Sequence, residues 1–321
     1  MRILYIDFSE GSEDLSIYPN RYGGAQIVPS WCRELMGDFC CVGTQESFGS
    51  LRSEEKQNQC IVIDKQFLRC IREGQPLEYH LRDRNLYYDL VFHNAPDVFV
   101  NTHAKQTVWA PGYAERVHPN HKWVLLHSPG YQRTQYQNAT MIPVQIGKPV
   151  PDFQIYKKED FVFQCTNHAP CFQSIELVTI CNKNRIRCYL GGPISEGYPL
   201  LDFIDNENSF YLGVMSYKDK IEMSKRARIH TLLHNIPINF TLSGLEALAY
   251  GCGLITTPLG FWPSFINDKI GRMVRSEGEF LKAFHDTKYI DQKDCWNKAK
   301  EYDNIKMVES FKKAFEIILQ S

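Results

Sequence analysis

Short, uninterrupted apolar runs alternate with longer polar or helical stretches along the whole chain. Residues 2–8 (Arg-Ile-Leu-Tyr-Ile-Asp-Phe) read as a buried first strand, and runs at 39–42, 60–63, 90–92, 107–109 and 123–127 follow it. A second series opens after the Pro-containing stretch 148–153, with strand-like segments at 160–164, 187–191, 210–212, 229–233 and 254–257. Strands that are apolar throughout, separated by helical stretches, belong in parallel sheets covered on both faces. The pattern therefore predicts an α/β chain of two similar layered domains, 1–154 and 155–321. Four helices stand out. One covers 21–36 and is entered through two glycines; another runs from a Ser216 cap to about residue 227, with Lys218, Lys220, Glu222, Lys225 and Arg226 as a solvated face. A third spans 241–250. The last, 304–319, puts Met307, Val308, Phe311, Ala314, Phe315, Ile318 and Leu319 on one face. That face should pack on a domain, the N-terminal one being a candidate, with peripheral membrane docking as the alternative.

Composition adds bounds. A chain of 321 residues with 43% hydrophobic and 13% aromatic content can bury cores for two domains. A formal net charge of -1 gives no global attraction for nucleic acid or anionic lipid. Eleven scattered cysteines without a framework, and a first segment that reads as a strand, point to a reduced, cytoplasmic-type protein. No apolar run approaches the ~20 residues that span a bilayer, so membrane contact would be peripheral.

The candidate chemistry centres on residues 239–260. The helix there should start near Thr241 or Ser243, whose hydroxyls can cap free amides, and stop at Tyr250-Gly251 before an apolar strand. Free amides at such a helix start attract an anion such as pyrophosphate. Glu246, one turn in, would then reach a ribose beside that phosphate. The competing reading is that Ser243 and Glu246, three apart, form a capping box.

Several short pieces, taken in order, resemble the nucleotide-sugar-dependent glycosyltransferases of family 4. They are Tyr22-Gly23-Gly24-Ala25, Leu125-Leu126-His127-Ser128-Pro129, Ile142-Pro143 with Ile146-Gly147, Tyr211 to Ser216, Thr241 to Gly251, and Thr257-Pro258-Leu259-Gly260. The resemblance covers nearly the whole chain and implies the GT-B fold, two Rossmann-like domains with the donor in the cleft between them. It also implies transfer of a hexose-type sugar from a nucleotide-diphosphate donor, a UDP- or GDP-sugar, to a hydroxyl of a glycan, lipid or protein. Anomeric configuration would be retained, and neither a metal nor a cofactor would be needed. Gly23 and Gly24 would let backbone approach the donor phosphates. Glu246 would bind ribose, Thr241, Leu242 and Ser243 would line the phosphate end, and His127 would lie at the transferred sugar as the catalytic candidate.

The chain departs from that pattern at two places. The position of the family's first glutamate is Ile238, and the adjacent Asn239 is the candidate to contact the sugar instead. Where the family places an arginine and a lysine against the pyrophosphate, His168 and Gln173 stand here. Losing both cations would remove several kcal/mol of stabilisation, since one preorganised donor is worth about 3–4 kcal/mol. Arg21, Lys148 and Arg133 are the candidates to supply the missing charge. These departures keep open a binding module that retained the scaffold and lost turnover; a transferase acting on modified nucleic-acid bases would need a basic groove that the charge balance does not advertise. Cys165, His168 and Cys171, with Cys181 and Cys188 downstream, have metal-like spacing, but the second pair is spaced unlike a zinc ribbon or finger.

Overall fold

The computed structural model describes residues 2–6, 39–43, 60–62, 65–81, 88–93, 99–109, 118–126, 139–237 and 241–321. The chain divides into two compact units: residues 1–146 with 304–321, and residues 147–303. The sequence pattern suggested a change near residue 155; the contacts change at Gly147.

In the first unit, β1 (Ile3–Ile6), β2 (Phe39–Gly43), β3 (Cys60–Val62), α1 (Lys65–Arg72), α2 (Leu77–Leu81), β4 (Leu90–His93), β5 (Lys105–Trp109), β6 (Trp123–Leu126) and β7 (Thr140–Pro143) follow in order. The strands form one parallel sheet ordered β3-β2-β1-β4-β5-β6-β7. Every residue of β1 and β4 is buried, which is why both read as continuous apolar runs rather than alternating ones. Leu68, Ile71, Leu77 and Leu81 close one face over Leu4, Ile6 and Val91. Edge strand β7 escaped the sequence reading because it ends in Pro143, a residue that an interior strand does not accommodate.

The second unit contains β8 (Glu159–Cys165), α3 (Ser174–Lys183), β9 (Arg187–Gly191), β10 (Ser209–Tyr211), α4 (Tyr217–Arg226), β11 (Ala227–Leu232), α5 (Leu242–Ala249), β12 (Gly253–Thr256), α6 (Trp262–Phe265), β13 (Gly271–Met273), α7 (Glu277–Asp286) and α8 (Gln292–Lys300). Its sheet, again parallel, runs β10-β9-β8-β11-β12-β13. This is the doubly wound order in which the chain reverses direction across the sheet between its first and fourth strands, here β8 and β11. Alternation along β11 separates the two faces. Ile229 joins the core made by Leu177 and Val178 of α3 with Phe280 and Phe284 of α7. His230 points the other way, packing edge-on against Phe163 at 5.6 Å.

The final helix, α9 (Asn304–Gln320), groups with the first unit. Of the seven residues that the apolar periodicity put on one face, Met307, Val308, Phe311, Ala314, Phe315 and Ile318 are buried. Phe311 and Phe315 meet Phe92 of β4, with centroids 5.9 and 5.3 Å apart. Lys105 Nζ donates to the carbonyls of Ile318 and Leu319 at 3.1 and 2.9 Å, placing a cation where the helix dipole is negative.

One glycine is demanded by close approach. Gly192, just after β9, has φ +118°, and a Cβ there would sit 1.9 Å from the Thr166 carbonyl oxygen. The obstacle is backbone, so it cannot rotate away. Gly192→Ala is expected to cost about 1–3 kcal/mol, read as a lower urea midpoint; an unchanged midpoint would show that the two loops are not held this close.

Candidate functional site

In open α/β sheets ligands gather outside the C-terminal ends of the strands, at the point where the strand order reverses. In the second unit the loops concerned follow β8 and β11. They are tied together: the Asn235 backbone N–H donates to the Cys171 carbonyl at 3.2 Å, its side-chain amide donates to the Pro170 carbonyl at 3.1 Å, and the Phe172 and His234 rings meet at 5.3 Å. His168 and Gln173 lie on the first loop, and Thr241, Leu242 and Ser243 follow the second.

Helix α5 runs from Leu242 to Ala249, with Thr241 as N-cap and Gly251, at φ +75°, beyond its end. The boundaries match those expected from sequence, but the capping does not. No side chain caps the first turn; Ser243 Oγ instead donates to Thr241 Oγ1 at 3.3 Å. The capping-box reading of Ser243 and Glu246 fails for the same reason, because the Glu246 carboxylate points to two lysines. The first turn of α5 thus presents amides that no side chain among the described residues satisfies.

Glu246 is buried, between Leu245 and Ala247 on a helix that is apolar nearly all round. One carboxylate oxygen meets Lys148 Nζ and the other meets Lys220 Nζ. Lys148 is itself buried, its backbone N–H donating to the Tyr302 carbonyl at 3.0 Å and its ammonium lying 4.4 Å from the Tyr217 ring centroid. Lys220 corrects an expectation: the charged run of α4 was read as a solvated face, yet this residue turns inward beside Glu246. Its neighbours Ile221 and Ser224 are buried too, so the inner stripe of α4 includes it. Burial, and secondarily the Lys220 charge, pull Lys148 down to about 6; burial also lowers Lys220. The carboxylate between them opposes both shifts by favouring the charged forms. Two lysine side chains thus converge on one buried carboxylate.

His168 is fully buried and engaged on both ring nitrogens, Nδ1 with Ser174 Oγ at 2.8 Å and Nε2 with the Gly191 carbonyl at 3.1 Å. Burial lowers its pKa to about 4, so the ring is neutral near pH 7. Nε2 donates to the carbonyl, and Nδ1 accepts from the serine hydroxyl. Gln173 is the N-cap of α3 in the left-handed region, at φ 43°, without a side-chain capping bond. Gly23, Gly24, His127 and Asn239 lie outside the described residues, as do Arg21, Arg133 and Ile238. Among the described residues no group of three or more His, Cys, Asp and Glu side chains is gathered as metal ligands, so Cys165, His168 and Cys171 do not form a set. No helix among them is long and apolar enough to cross a membrane.

No protein-family profile matches the sequence, and no curated protein does. Solved structures do match. AviGT4, described as a glycosyltransferase involved in avilamycin A biosynthesis, superposes over 100% of this chain and 98% of its own with a TM-score of 0.73 at 14% identity. HepE of Anabaena, solved with UDP, matches 98% of this chain and 100% of its own at 12% identity and a TM-score of 0.69. A glycosyltransferase from Rickettsia africae matches 100% and 99% at 12% identity and a TM-score of 0.73. At these identities the likeness defines the fold: the chain has the two-unit, Rossmann-like GT-B architecture seen in these glycosyltransferases.

Proposed function

We propose that the chain is a glycosyltransferase that moves a hexose-type sugar from a nucleotide-diphosphate donor to an acceptor hydroxyl, with retention and without a metal. The observation that carries this reading is the buried Glu246 held by Lys148 and Lys220 one turn into α5, whose first amides carry no side-chain cap. A carboxylate there suits ribose hydroxyls, while free amides and nearby ammonium groups suit a diphosphate. Lys148 and Lys220 would supply the charge that His168, with both ring nitrogens engaged, and the neutral Gln173 do not. HepE, of the same fold, has been solved with UDP and with UDP-glucose, which makes a UDP-sugar the first donor to try.

In this reading the leaving phosphate takes the acceptor proton on the same face of the sugar. The chain supplies orientation and charge rather than a dedicated base. Gly23 and Gly24 approach the donor phosphates, and Asn239 and His127 contact the transferred sugar. The acceptor is a glycan, lipid or protein hydroxyl, and the reaction is cytoplasmic. A second reading, a nucleotide- or glycan-binding protein without turnover, draws support from the engaged ring of His168 and from Ile238 in place of a carboxylate.

The deciding experiment incubates the purified chain with UDP-, GDP-, ADP- and dTDP-sugars, follows free nucleoside diphosphate by mass spectrometry, and measures nucleotide binding by thermal shift. Release from one donor supports transfer. Binding that never leads to release across a broad acceptor panel supports the second reading, and absence of binding removes transfer and the nucleotide-binding form of the second reading. Lys148→Met and Lys220→Met should each weaken nucleotide binding by about tenfold or more, the 1.5–3 kcal/mol of a charged hydrogen bond, as measured by calorimetry. Wild-type affinity in either folded variant would remove that lysine from the donor site.

A further inference from the structure

The second unit carries a cavity on the face of the sheet opposite Glu246. It has a volume of about 530 Å³, within the range of small-molecule sites. Leu233, Thr257 and Val274, the residues that follow β11, β12 and β13, line it together with the first turns of α3 and α7. It therefore also lies at the C-terminal ends of parallel strands, where such sheets bind ligands. The apolar part of its wall is built from Ile180, Leu233, Leu259, Val274 and Phe280.

His234 is the informative lining residue. Its backbone N–H donates to Thr257 Oγ1 at 3.1 Å and its ring packs edge-on against Phe172, so the side chain is fixed. It is buried, yet neither ring nitrogen has a hydrogen-bond partner among the described residues. Burial lowers its pKa to about 3, leaving a neutral ring that offers one N–H and one lone pair. Buried polar groups are rarely left unmet without a reason. A hydroxyl, which donates and accepts, satisfies either nitrogen, and the amides of Asn235 and Gln173 on the same wall have the same dual character. The charges do not favour an ion of either sign: Glu176, Glu277 and Arg275 all line the cavity, and Glu277 is already paired with Lys183 at 2.9 Å.

We infer that this cavity is a second carbohydrate site, taking a neutral hydroxylated ring whose apolar face lies on Leu259 and Val274 and whose hydroxyls meet His234 and Asn235. It goes beyond the donor reading and does not require it. The occupant would be a sugar unit of the acceptor or of a bound glycan.

The test uses the full chain with methyl glucoside, methyl galactoside, methyl mannoside and maltose, observed by saturation-transfer NMR in the presence of UDP. Two variants report on the cavity: Leu259→Trp, a half-buried loop position whose larger ring fills it, and His234→Ala. Glu246→Gln reports on the donor region. At least one sugar should receive saturation from the wild type, lose at least three quarters of it in Leu259→Trp and His234→Ala, and keep it in Glu246→Gln. Undiminished transfer in folded Leu259→Trp overturns the assignment, as does absence of transfer from every sugar. UDP binding, followed by thermal shift in the same samples, is scored separately. Its failure would remove UDP as the donor nucleotide and leave the cavity result standing.

Discussion

Glu246→Ala is expected to cost the second unit about 3–5 kcal/mol of folding stability, because it removes the carboxylate that lies between two inward-facing lysines. The magnitude follows from an asymmetry. A buried ion pair contributes little against an apolar substitute of the same volume, but losing one member leaves a desolvated charge without compensation. Lys148, which burial already draws toward about 6, would lose its proton in the variant. An unfolded lysine titrates near 10.4, so between these values the unfolded chain holds more protons, and the variant's stability should rise with pH. Its deficit is therefore larger at pH 6 than at pH 9. Replacing Glu246, Lys148 and Lys220 together by methionine should recover most of the loss, since no charge is left stranded. Urea denaturation of the single and triple variants at both pH values measures this. A single variant within about 1 kcal/mol of wild type would show that the cluster is solvated. Nucleotide affinity must then be compared at a temperature where each variant is folded, because a stability loss of this size imitates a binding defect.

Particular residues show what the sequence carried. Ile3 to Ile6 and Leu90 to Phe92 were legible as strands because burial on both faces leaves no polar position in them. The face of α9 was legible because a helix with one buried side repeats every 3.6 residues. Strand β13 was not, because Gly-Arg-Met has no apolar run and exists as a strand through its pairing with Leu254 to Thr256. Glu246 stood out as a carboxylate among Leu245, Ala247 and Leu248, which marks burial. Its partners did not, since Lys148 and Lys220 reach it only through the tertiary fold. Lys220 was hidden in a run of charges. The signal that could have found it is the pair Ile221 and Ser224, which sets the inner stripe of α4 and puts position 220 on its edge. Lys148 had been named as a possible cation from charge bookkeeping alone, and the structure gives it a place. His234 carried no signal, because a single histidine after an apolar strand says nothing about the cavity it lines.

The largest effect should come from acid. His168, His230 and His234 are all buried, and burial lowers them to about 4, 3 and 3. For His230 the nearby Lys220 charge adds to the shift. An unfolded histidine titrates near 6.5. As pH falls below that value the unfolded chain takes up protons that the folded chain refuses, so stability falls with pH until the folded values are reached. At pH 5 each residue costs about 2 kcal/mol relative to neutral pH, and the three together about 6 kcal/mol. Domains commonly hold only about 5–15 kcal/mol in all, so the second unit should be strongly destabilised by pH 5 and unfold between pH 5 and 4. Asp205, held low by backbone and side-chain hydrogen bonds despite the opposing cost of burial, adds a loss of its own only as pH approaches the ordinary aspartate value near 3.9, below the histidine range. Urea midpoints at pH 7, 6 and 5 give the slope. His230→Leu, which removes a ring with no hydrogen-bond partner among the described residues, should flatten the profile by about a third. Equal midpoints at pH 7 and pH 5 would mean that these rings take up protons in the folded chain as readily as in the unfolded one, so that burial does not hold them neutral in acid.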